Sequence, residues 1–179
     1  GTMIDINGNI YKTVLIGCQL WTAENLRSAN YNNGDPILGV IDNNSWLEQS
    51  SGAWSNYNNS NLNDSLYGKL YNWYTTTDPR GLCPTGWHVP SYFEWGTLAV
   101  YLGGPNNVNA GAKMKSVGTQ HWVSPNAGAT NESGFSGLPG GVRISPIGSF
   151  ANIGLVGYHW CTSETMNDGS WAWKLHYSS

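Results

Sequence analysis

The chain has 179 residues, a formal net charge of −3, 13% aromatic residues and only 11% charged ones. One domain is the natural count at this length, and this balance of many rings and few charges excludes a disordered chain, which shows the reverse. The eight Lys and Arg are spread out and give none of the cationic density a phosphate backbone requires, which excludes nucleic acid, and no apolar run approaches the roughly 18 residues of a membrane span.

Residues 3–26 read as strands. Asn7-Gly8 is a hairpin dipeptide, and the run from Tyr11 to Ile16 is β-branched and apolar. Gly1 and Thr2 ahead of them are expected to be an expression remnant. From 28 to 64 the composition turns to Asn, Ser and Gly with isolated Trp46, Trp54 and Tyr57, which predicts a long loop anchored by rings. A helix is then expected through Leu66, Leu70, Trp73 and Tyr74, spaced i, i+4, i+7, i+8, with Asp64 or Ser65 capping it and Asp78-Pro79 closing it.

A second helix is signalled by Pro90-Ser91 followed by Glu94, the reciprocal capping box, with Trp95, Leu98 and Leu102 on one face before Gly103-Gly104. Residues 105–140 return to loop with a short helical turn over 110–115, and 141–177 read as a β-meander. Its last two strands are the aromatic runs 157–163 and 170–177, separated by a turn at Asp168-Gly169. Two short helices, a long irregular middle and a late sheet make the class α+β.

Cys18, Cys83 and Cys161 lie far apart with no C-x-x-C pair, which removes zinc-ribbon and thioredoxin readings. At most one disulfide can form within the chain. Cys83–Cys161 is the candidate, against other pairings and against buried free thiols.

The string 82–91 (LCPTGWHVPS) is followed by Glu94-Trp95 and by 101–104 (YLGG). Around it stand, in order, 5–21 (DINGNIYKTVLIGCQLW), 23–26 (AENL), 67–74 (YGKLYNWY), His121-Trp122, 129–135 (ATNESGF), 138–141 (LPGG) and 157–160 (GYHW). This series resembles the Fibrobacter succinogenes major paralogous domain family over nearly the whole chain. The resemblance implies a single C-type-lectin-like domain over 1–179, with two short helices on a small twisted antiparallel sheet and long loops. It also implies an extracellular or cell-surface binding or adhesion module. Relatives of that fold serve as variable receptors diversified by retroelements, and region 152–179 occupies the variable place. A structural spacer in a large surface protein is a further alternative. Family members usually continue into a closing strand with a final cysteine. By that comparison the strand is expected to be missing here, leaving a sheet edge for a partner strand and making Cys161 a candidate substitute for the lost partner of Cys83.

No nucleophile elbow, triad or H-E-x-x-H pattern occurs, and Glu24, Glu94, Glu132, His88 and His121 all have structural readings, so no enzyme activity is expected. Period-2 alternation in 170–177 places Trp171, Trp173, Leu175 and Tyr177 on one face and Ala172, Lys174 and His176 on the other. The expected ligand surface, for a glycan or a protein, comprises His159, Glu164, Asn167, Asp168, Trp171, Lys174 and His176. Glu164, Asn167 and Asp168 form an oxygen-rich stretch that could take calcium.

Overall fold

The computed structural model describes residues 1–104, 108–164 and 170–179. The chain opens with β1 (Thr2–Ile4), β2 (Ile10–Ile16) and β3 (Gln19–Thr22), an antiparallel ribbon in the order β1-β2-β3. Asp5 sets the first turn. Its Oδ1 accepts from the backbone N–H groups of Asn7 and Asn9, and its Oδ2 accepts from the Tyr11 hydroxyl at 2.6 Å. Thr2 pairs with Lys12, and Thr13 N–H donates to Gly1 O, so the ladder runs to the first residue described. Because neighbours alternate along a strand, the buried pair Met3–Tyr11 lies on one face of the ribbon, while Val14 and Ile16 pack with Trp21 into the main core from the other.

Residues 28–64 are not one loop. They carry β4 (Leu38–Gly39), α1 (Asn43–Leu47), β5 (Ala53–Ser55), a 3-10 turn at Tyr57–Asn59 and the start of α2 (Asn61–Tyr67). The rings singled out in the sequence are indeed the anchors, since Trp46 and Tyr57 are buried and Trp54 donates through Nε1 to Ile37 O. The single helix expected through Leu66 and Tyr74 is instead broken in three. α2 stops at Gly68, whose φ of 73° puts it in the left-handed region; β6 (Leu70–Tyr71) then pairs with β5, and α3 (Trp73–Thr77) restarts behind an Asn72 cap. Glycine alone adopts that φ without cost, and a Cβ at position 68 would meet Leu26 O at 2.8 Å. The third sheet thus runs β4-β5-β6.

α4 (Tyr92–Tyr101) forms as its capping box predicts and buries Trp95, Leu98 and Ala99; α5 (Val108–Met114) follows. The remaining strands are β7 (Gly140–Arg143), β8 (Phe150–Ile153), β9 (Val156–Glu164) and β10 (Ser170–His176). They do not form a meander. Their order is β10-β9-β7-β8, and β9 returns to pair with β7 in parallel at Gly141 and Gly157. A side chain at Gly141 would meet Ala151 O at 2.5 Å, so the close β7–β8 approach needs glycine there.

The described residues thus hold five short helices and three small sheets, an α+β fold richer in elements than the two helices and one sheet expected. The main core joins Ile16, Trp21, Trp95, Leu98, Met114, Trp122, Phe135, Cys161 and Leu175. A second half of the molecule is built around Tyr31, Ile37 and Leu82, with Val40, Trp46 and Ala53 beside them.

Candidate functional site

The start of α4 is fixed from three directions. Ser91 caps it, and Glu94 Oε2 accepts from both the Ser91 N–H and the Ser91 hydroxyl at 2.8 Å. Glu94 Oε1 lies 2.7 Å from His88 Nε2. Burial pushes the Glu94 carboxyl up, but the Ser91 and His88 hydrogen bonds outweigh it and hold it below the usual range. Strand β9 supplies the third tie, with Tyr92 N–H donating to Ser163 Oγ and Thr162 N–H donating to Pro90 O.

With the turn held this way, Tyr92 and Phe93 face outward, Phe93 at 81% exposure. Trp171 joins them. Its ring lies 5.3 Å from Tyr92, and the Tyr92 and Phe93 rings are 6.1 Å apart, so three exposed rings form one platform. Simple alternation put Trp171 with the core residues Trp173 and Leu175. A register shift between Ser170 and Ala172 separates it from them, leaving Trp171 47% exposed.

The other expected ligand residues divide. Glu164 is exposed at the end of β9, opposite Ser170. Lys174 is exposed with its Nζ over the Tyr158 ring at 5.3 Å, and exposed His176 holds Ser178 Oγ through Nδ1. His159 does not share their surface. It lies on the face of β9 that meets the core, between the rings of Trp95 and Phe135 at 5.4 and 5.7 Å, and burial lowers its pKa to about 4. Of the three expected calcium ligands, Asn167 and Asp168 lie outside the described residues, and among the described ones no group of three His, Cys, Asp or Glu could hold a metal ion. The expected Cys83–Cys161 bridge is not formed. Both are free thiols: Cys161 is packed in the main core, while Cys83 lines a cleft, where burial raises its pKa to about 11.

That cleft was not anticipated. It encloses about 540 Å³ between the 19–26 segment, the turn before α4 and strand β9. Its walls include Trp21, Trp87, Trp95, Phe135 and Trp160, and two lining residues, Trp21 and His159, each carry a buried ring nitrogen, Nε1 and Nε2, with no hydrogen-bond partner. The contributing residues come from many separate stretches of the chain, so no local pattern announced it. The only hint was that Trp21, Trp87-His88 and Glu94-Trp95 recur in the segments that carry the family resemblance.

The chain belongs to the Fibrobacter succinogenes major domain family, whose model matches residues 14–179. No curated protein and no solved structure matches it.

Proposed function

We propose that the domain is a non-enzymatic extracellular binding or adhesion module, built on a C-type-lectin-like frame, that recognises a glycan or a protein through its C-terminal strand-and-loop surface. The observation that carries this reading is the platform of Trp171, Tyr92 and Phe93, three large rings left in water beside Glu164 in a chain whose nine other tryptophans are all buried or half-buried. Exposed aromatic rings supply contact area at low entropic cost, and they stack on sugars and on protein partners alike. Lys174 and His176 extend the same strand with hydrogen-bonding groups. The low charge and high aromatic content also fit a secreted or surface location.

A glycan array probed with the wild-type domain and with Trp171→Ala, each in calcium and in chelator, tests the proposal. Binding that disappears in the variant supports it, and binding lost in chelator adds calcium at the Glu164 end of the hairpin. Absence of glycan binding moves the reading to a protein partner. Binding that is indifferent to Trp171→Ala overturns the platform as the site.

A further inference from the structure

The cleft lies on the inner side of the α4 first turn and has a chemistry of its own. Its volume of about 540 Å³ falls within the roughly 300–1,000 Å³ of small-molecule sites. The Asp, Glu, Lys and Arg side chains in its lining are Glu24, Lys69, Glu94 and Arg143, with the exposed His88 beside Glu94, and every one is already paired. Lys69 Nζ holds Asp64 Oδ1 at 2.7 Å and sits over the Trp54 ring. Arg143 donates to Gly148, Val40, Ile41 and Asp42 carbonyls and to Asn43 Oδ1. Glu24 accepts from Lys12 N–H and faces Arg27, and Glu94 and His88 bond each other. A charged guest would find no free counter-charge, and burying it unpaired is expensive.

What the walls leave unused is neutral. Aromatic faces offer apolar contact, Trp21 Nε1–H is a donor in a side chain only 7% exposed, and His159 Nε2 belongs to an imidazole held neutral by burial. A buried polar atom without a partner has lost its hydrogen bonds to water and gained none in exchange, a loss that a guest pairing it restores. A sugar ring has this complement: C–H faces that pack on aromatic rings, and hydroxyls that both donate and accept. We propose that the cleft is a second binding site, for a neutral saccharide of one or two rings, engaged by Trp21 Nε1 and His159 Nε2. It stands whether or not the outer platform binds anything. Neither atom is open to water, so engagement turns the rings that cover them, and their resonances will report it.

The test is a nitrogen-15 NMR titration of the full chain with glucose, galactose, mannose, N-acetylglucosamine and cellobiose in turn. The expected result is saturable movement of the Trp21 indole and His159 imidazole signals with at least one of these sugars. It should be unchanged in Trp171→Ala and weakened about tenfold or more in His159→Phe, which keeps a ring in the slot but removes the nitrogen. Should His159→Phe fail to fold, Trp21→Phe read at the His159 nitrogens serves the same purpose. No movement with any of the five sugars overturns the proposal, as does movement confined to the Trp171 indole.

Discussion

Each half of the domain buries one cation among carbonyl oxygens, and the two are built differently. Lys115, fully buried, directs its Nζ to the carbonyls of Ala127, His176 and Ser179 at 2.9, 2.9 and 2.6 Å. Arg143, 6% exposed, stacks between Trp46 and Phe150 and spreads its guanidinium over the chain at 40–43 and Gly148. Neither has an Asp or Glu side chain hydrogen-bonded to it among the described residues. The lysine is a point charge that gathers three chain ends or loops; the arginine is a flat fork that stitches one irregular run, residues 40–43, to β7. In a chain whose backbone is so often outside ladders and helices, buried carbonyls need donors from elsewhere, and the two cations supply them in the geometry each can offer.

The largest effect that sharpens this contrast is expected from Arg143→Met, which leaves four carbonyls without their donor; a loss of roughly 3–5 kcal/mol in urea unfolding is expected. Lys115→Met strands three carbonyls but also removes a buried charge, so a smaller loss of roughly 2–4 kcal/mol should follow in the same measurement. If Arg143→Lys restored most of the stability lost in Arg143→Met, the distinction between fork and point charge would fail, because a lysine there can reach only part of the five acceptors.

Smaller effects lie in the pH dependence. Native His159 titrates at about 4 against its ordinary 6.5. As pH falls through that window the unfolded chain takes the proton first, so stability drops toward acid, and His159→Phe should lack that slope. Burial lowers native Lys115 below its ordinary 10.5. Between the two values the unfolded chain holds the extra proton, so stability rises with pH there, and the advantage of wild type over Lys115→Met should grow with pH only in that alkaline window.

Much of this was legible in the residues where the controlling interaction is local. Ser91 and Glu94 satisfy each other within one turn, and the connection over residues 5–9 is closed by its own members, Asp5 accepting from the Asn7 and Gly8 N–H groups, so α4 and the first hairpin could be read directly. The run from Leu66 to Tyr74 misled because its helical spacing is real, yet Leu70 and Tyr71 are claimed by β5 and Gly68 ends the first segment. At the platform, Trp171 was singled out as a ligand residue, but the register shift that exposes it and the partners Tyr92 and Phe93 come from elsewhere. His159 was expected outside and lies inside, since alternation fixes which residues share a face and not which face meets the core. Lys115 and Arg143 carried no signal at all, because carbonyl acceptors are the same at every residue.

The opening ribbon buries Met3 and Tyr11 on one face and Ile16 and Trp21 on the other, with Val14 half-buried beside them. A strand with a single apolar face can slide by two residues and still look right to the core beneath it. Here a one-residue slip would push Tyr11 into water at one end and Ile16 at the other, and a two-residue slip would break the Tyr11 hydroxyl from Asp5 while drawing Lys12 or Leu20 out of step with its neighbour. Misalignment is penalised at both ends at once, so the first 22 residues act as their own proofreading device during assembly.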